Sequence, residues 1–223
     1  MKSYDAIAFD GCYFYMLENR KTDGNIDVLD RGFRLLCKRR TYRVYTSFTY
    51  DSVENIFLAV DESNFVYKLN MYFQEFDLIP FNHDEKEPIK NIAFDCQRNL
   101  LLAACGDVIY QISKAGEVKG IIACLPSVVG SVVAVPPYVV FAISDGLLQA
   151  VIVEYPQHPN NFKKQDLPFV YRVIDLVYDP CREAILIFVM KNKYEAQMLS
   201  WNLHLSELAC CAKNLCLKEK ISI

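Results

Sequence analysis

The chain has few of the residues that usually announce chemistry. Its eight glycines form no phosphate-cradling loop and no Gly-x-Ser-x-Gly elbow, so two common nucleotide- and acyl-handling signatures are missing. The three histidines, His83, His158 and His204, have no ligand spacing, and neither Cys-x-x-Cys nor His-Glu-x-x-His occurs. Cys210, Cys211 and Cys216 cluster, but a tetrahedral site needs a fourth ligand, and the cluster reads as apolar filler. No catalytic residue, no metal ligand set and no cofactor is predicted.

Long apolar runs are also missing. The longest, near Ile122–Ile143, is broken by Pro126, Gly130, Pro136 and Pro137, and nothing approaches the roughly 18 residues of a membrane helix. Charge is balanced at 24 basic against 27 acidic residues, a net of -3. Neither nucleic acid nor an anionic membrane is expected as partner. The first residues show no basic segment followed by an apolar one. The nine cysteines are scattered, as reduced thiols would be. A cytoplasmic location is expected; a chain processed from a secreted precursor would begin the same way.

What is present points to strands. Apolar residues make up 52%, with 14 Tyr and 14 Phe against one Trp, the enrichment that pleated, half-buried strands favour. An aromatic-Asp pair recurs as Phe9-Asp10, Tyr50-Asp51, Phe94-Asp95 and Tyr178-Asp179, at intervals of about 42 residues or twice that. The doubled gap holds a degenerate copy, Gly130–Pro136, with Val135-Pro136 in place of the pair. Residues before each Asp alternate. One column is bulky: Ile7, Phe48, Ile92, Val133 and Leu176, then Phe9, Tyr50, Phe94, Val135 and Tyr178. The other is small or polar: Ala6, Ser47, Asn91, Val132 and Asp175, then Ala8, Thr49, Ala93, Ala134 and Val177. A period of two defines a strand, and small residues on one side suit strands crowded about an axis.

Each repeated Asp begins a turn, where its carboxylate can accept backbone N–H bonds; capping is the expected role of Asp10, Asp51, Asp95 and Asp179. Second strands, apolar on both faces, follow at Cys12–Leu17, Ile56–Val60, Leu100–Ala104, Tyr138–Ile143 and Ala184–Met190. Third strands follow Gly, Asn and Asp turns. Fourth strands are weaker: Phe33–Cys37, Tyr72–Ile79, Glu117–Ala123 and Ser206–Cys210, with the fourth copy dissolving into Pro156–Pro168. The prediction is an all-β chain, a single domain over 1–223, with five blades near 3–41, 42–84, 85–126, 127–168 and 169–211 and a tail at 212–223.

Four antiparallel strands per unit and repeats of this length resemble the β-propeller superfamily, with blades like the NHL-type or tachylectin-like ones. The resemblance spans roughly residues 3–210 and implies a fold, a five-bladed β-propeller of four-stranded antiparallel blades, with no functional residues attached. The Trp-Asp signature is absent, since Trp201 precedes Asn202. A β-sandwich is the alternative.

In such a ring Ser47, Asn91 and Asp175 point toward the central tunnel. Lys38–Arg43 and Phe169–Arg172 lie before first strands, and Tyr4 and Tyr45 top theirs, giving an aromatic and cationic mouth. Two long connections, Asp77–Pro88 and Glu154–Pro168, stand on the same face. The candidate ligand-binding residues are therefore Tyr4, Arg43, Tyr45, Ser47, Lys90, Asn91, Tyr171, Arg172 and Asp175. The leading expectation is a non-catalytic binding or protein-interaction propeller for a protein, peptide or small carbohydrate. The rivals are a small hydrolase or lactonase-like enzyme using Asp175 and Asn91, and a structural subunit of a larger assembly.

Overall fold

The computed structural model describes residues 4–19, 23–81, 87–125, 127–135, 138–143, 149–154, 162–166, 172–192, 195–202 and 221–222. Among these, every regular element is a strand. The first sheet is β1 (Ala6–Phe9), β2 (Phe14–Asn19), β3 (Gly24–Leu29) and β4 (Leu35–Thr41). The second is β5 (Tyr45–Asp51), β6 (Ile56–Asp61), β7 (Val66–Leu69) and β8 (Glu75–Ile79). The third is β9 (Ile89–Asp95), β10 (Leu100–Cys105), β11 (Val108–Ile112) and β12 (Val118–Cys124). The fourth is β13 (Val129–Val135), β14 (Tyr138–Ile143), β15 (Gln149–Glu154) and β16 (Phe162–Asp166). The fifth is β17 (Arg172–Asp179), β18 (Ala184–Asn192), β19 (Glu195–Asn202) and β20 (Ile221–Ser222).

The result is five four-stranded sheets, each a meander of strands consecutive in the chain. The first strands touch in the order β1, β5, β9, β13, β17, and β17 returns to β1. That closed ring of antiparallel sheets is a β-propeller, not a pair of facing sheets.

Burial falls from the axis outward. Every residue of β6 is buried, while β4 and β8 are exposed along most of their length. Inner strands need apolar side chains on both faces because a sheet lies on each side. Outer strands face water and carry no such pattern, which is why their sequence signal is faint. The fourth strand of the first sheet accordingly begins and ends later than its apolar residues suggest, and it takes in Lys38, Arg39 and Arg40. The last sheet takes its fourth strand from Ile221–Ser222, which pairs with Gln197 and Met198. The expected strand at Ser206–Cys210 lies outside the described residues.

Sheet-to-sheet packing follows the two sequence columns. Ala6 and Ala8 of the first sheet receive Phe48 and Phe57 of the second. Ala93 of the third receives Val132 and Ala134 of the fourth. Val177 of the last sheet receives Ile7 and Phe14 of the first, closing the circle. Each large side chain sealed this way contributes about 1.5–3 kcal/mol.

The fourth copy needs a correction of one residue. Val135 pairs directly with Tyr138, leaving only Pro136 and Pro137 between strands; the first copy likewise joins Asp10 to Tyr13 across two residues. Copies two, three and five use four residues between Asp and the next strand. Val135 therefore stands where the others have Asp. Ser131 and Val133, not Val132 and Ala134, occupy the small-or-polar column.

The repeated aspartates cap their turns. Oδ1 of Asp51 accepts from the N–H groups of Val53 and Glu54, at 2.8 and 3.1 Å. Asp10, Asp95 and Asp179 repeat the arrangement. Asn55, Asn99 and Glu183, four residues on, carry positive φ of 57, 55 and 48°. Asn tolerates that left-handed region better than most residues.

Candidate functional site

Five first strands converge on a central channel, and a polar floor divides it. In four sheets the strand register slips one residue before the polar column, leaving Thr46, Lys90, Gly130 and Ile174 unpaired. Such bulges re-aim side chains and bend the strand. They bring Ser47, Asn91, Ser131 and Asp175 onto one level, all buried.

These four side chains form a chain of clasps between neighbouring sheets. Ser47 Oγ accepts from Ile92 N–H at 3.1 Å, and Asn91 Oδ1 accepts from Val132 N–H at 2.9 Å. Ser131 Oγ accepts from Leu176 N–H at 3.0 Å, and Asp175 Oδ2 accepts from Ile7 N–H at 2.9 Å. Each takes the N–H one position past the polar column of another sheet. Asn91 also donates to Ser47 at 3.2 Å and to Asp175 at 3.0 Å, while Ser131 donates to Asp175 at 2.8 Å. Ala6 holds the fifth place and offers no acceptor. A buried N–H left unpaired is costly, so the polar column is required by the backbone it faces.

Asp175 carries the site's one buried charge in this ring. Its Oδ1 accepts from Asn91, Ser131 and Leu176 N–H, and its Oδ2 from Ile7 N–H. Those four donors favour the carboxylate form, but burial outweighs them and pushes the group up to about 6.

Above and below this floor lie two chambers. The described hairpin at Asp61–Asn64 and the residues leading into the third sheet, Pro88–Lys90, stand on the upper face, and the turns at Asp10–Gly11, Ser52, Cys96 and Pro180 stand on the lower. The upper chamber, about 470 Å³, is bordered by Tyr4, Asp5, Thr46, Glu62 and Lys90 among others. The lower chamber, about 340 Å³, is walled by Ile7, Phe48, Ile92 and Leu176 and floored by Asp175.

The structure distributes the predicted residues unevenly. Tyr4 and Lys90 reach the upper chamber, with the Tyr4 hydroxyl donating to Asp27 at 2.7 Å. Ser47, Asn91 and Asp175 lie together in the floor. Arg43 and Tyr45 are instead engaged inside the second sheet. Tyr45, 1% exposed, donates to Glu75 at 2.7 Å. Arg43 reaches Glu75 at 3.1 Å and Asp61 at 3.3 Å, with its guanidinium 4.5 Å over the Tyr67 ring. Burial raises the Tyr45 hydroxyl above its ordinary range. Tyr171 lies outside the described residues, and so does the Arg172 side chain.

The basic run Lys38–Arg40 belongs to the exposed edge strand β4, where Arg40 pairs with Asp23 at 2.7 Å. Basic side chains on an edge discourage strand addition. Ser131 was hidden by the one-residue slip. Its only sequence signal is that counting back from Val135, rather than Pro136, restores a hydroxyl to the polar column.

No protein-family model matches the chain, and no curated protein matches it. Solved structures do. A chain of a nidogen/laminin complex superposes with a TM-score of 0.65 at 13% identity, over 92% of this chain and 78% of that one. A chain of Kuenenia stuttgartiensis hydrazine synthase superposes with a TM-score of 0.55 at 12% identity, over 94% and 68%. At such identities the likeness is one of fold: this chain is a β-propeller.

Proposed function

We propose that the protein is a binding propeller that engages a protein or peptide partner through its upper face. The observation that carries this reading is the upper chamber, where the exposed charged side chains Asp5, Glu62 and Lys90 border one concavity. Both signs of charge meet there on a base of hydrogen-bonded strands, which suits specific recognition better than general adhesion. The nidogen/laminin neighbour is itself part of a protein–protein complex, which supports a protein as the partner class. A small carbohydrate would use the same polar rim.

The test is a comparison of faces. A Lys90→Glu, Glu62→Arg double variant reverses the charges of the upper rim, while Val53→Glu alters an exposed turn on the lower face. Co-purification from the native host, quantified by mass spectrometry, is expected to lose a specific partner only in the upper-face variant. Loss only in Val53→Glu would contradict the proposal. Turnover of a lactone or glycoside, abolished in Asp175→Asn, would replace binding by catalysis.

A further inference from the structure

The lower chamber is a separate cavity, and its chemistry is independent of the upper face. Its walls come from all five first strands, and the apolar side chains Ile7, Phe48, Ile92 and Leu176 dominate them. Of the four polar side chains in the floor, only Asp175 borders this chamber, and none borders the upper one. Asp175 therefore lies at the inner end of a largely apolar pocket.

That carboxylate is incompletely matched. Its four partners, Ile7 N–H, Leu176 N–H, the Asn91 amide and the Ser131 hydroxyl, are all neutral. Among the described residues no basic side chain pairs with it. A buried anion without a counter-ion is an expensive arrangement. Each carboxylate oxygen offers about two lone-pair sites; Oδ1 takes three donors and is full, whereas Oδ2 takes only Ile7 N–H. The remaining capacity of Oδ2 belongs to the one floor residue that the lower chamber reaches.

Aromatic rings stand at the mouth of the same chamber: Phe9, Tyr50, Phe94 and Tyr178. Ring faces attract cations, and two of these already do so. The Lys114 ammonium lies 4.9 Å from the Phe94 centroid and the Arg31 guanidinium 5.6 Å from that of Phe9.

We propose that the lower chamber binds a compact organic ammonium ion, its apolar body against the channel walls and its ammonium at Asp175 Oδ2. Amines that carry one ring or cage fit a space of about 340 Å³; long chains and polyols do not. The ligand supplies the positive charge that the fold omits, and the aromatic mouth admits it.

The probe is adamantan-1-amine, with adamantan-1-ol as its neutral counterpart, titrated into the full chain near neutral pH by calorimetry or by backbone amide shifts. The amine is expected to bind at least about tenfold more tightly than the alcohol, the margin of one charge-assisted contact. Thr49→Phe places a ring in the chamber without touching the floor, and a folded Thr49→Phe protein is expected to lose amine binding at least tenfold. Equal affinity for amine and alcohol, no binding of the amine up to millimolar concentration, or full binding by folded Thr49→Phe would each overturn the proposal. Should Thr49→Phe not fold, the wild-type comparison of amine with alcohol decides alone.

Discussion

The backbone N–H of Ile7 donates to the carboxylate of Asp175 across 2.9 Å, joining the first sheet to the last. The two residues are neighbours only because the ring closes, since 168 positions separate them in the chain. Around them the apolar seam of Phe14, Met16, Leu186 and Phe188 is sealed. Among the described residues each sheet is built from consecutive strands, and this seam and its clasp join the first sheet to the last.

Removing the clasp has a predictable cost. Asp175→Ala leaves two backbone N–H groups, the Asn91 amide and the Ser131 hydroxyl without this acceptor. We expect a loss on the order of 1–3 kcal/mol in chemical denaturation, the range for leaving buried neutral donors unsatisfied. A loss below about 1 kcal/mol would mean that water or a rearranged floor replaces the carboxylate.

Much of this fold is legible in the sequence, and the reason is physical. Two-residue alternation and a recurring Asp turn are imposed locally, so columns such as Ala8, Thr49 and Ala93 can be read off directly. The slip at Val135 is not legible, because nothing in the residues Pro136-Pro137 says how many of them the turn uses. Bulges at Thr46, Lys90, Gly130 and Ile174 leave no sequence signal either. Arg43 and Tyr45 looked available as a site because composition cannot show that Glu75, 30 or more positions away, already holds both.

The pH dependence of stability follows from Asp175. Its folded value, about 6, lies above the ordinary 3.8, so the native state holds a proton that the unfolded chain releases between those values. The stabilisation is fully present below the ordinary value and is lost as pH rises through about 6. The groups facing it are neutral: Asn91 from β9, Ser131 from β13, and the N–H groups of Ile7 and Leu176. The stability difference between wild type and Asp175→Asn is therefore expected to shift against wild type between pH 4 and 6. Parallel profiles would contradict the assignment.

Two glycines in left-handed turns separate strain from collision. Gly11 has φ +95° with open space around a notional Cβ, whereas at Gly116, with φ +86°, a notional Cβ would collide with the Pro80 carbonyl oxygen. Gly11→Ala is expected to cost about 1–2 kcal/mol, and Gly116→Ala clearly more, because the backbone of Pro80 must move. Equal melting points for the two variants would show that the third sheet's outer turn is placed wrongly.

Ala93 tests the packing between the third and fourth sheets, where it meets Leu102 and Val132. Ala93→Phe is expected to cost about 1–3 kcal/mol by overpacking, read as a lower denaturation midpoint.

The C-terminal strand tests the last sheet. Ile221 and Ser222 pair with Met198 and Gln197, so deleting residues 214–223 is expected to lower the thermal midpoint. An unchanged midpoint would show that β20 contributes nothing to closure.

Four side chains clasp the five sheets at the axis, and amide hydrogen exchange measures those clasps directly. The N–H groups of Ile7, Ile92, Val132 and Leu176 are bound by Asp175, Ser47, Asn91 and Ser131 respectively. They are expected to exchange only through global unfolding, at the slowest rates in the protein. Rapid exchange of these four amides, while β6 and β10 stay protected, would contradict that arrangement.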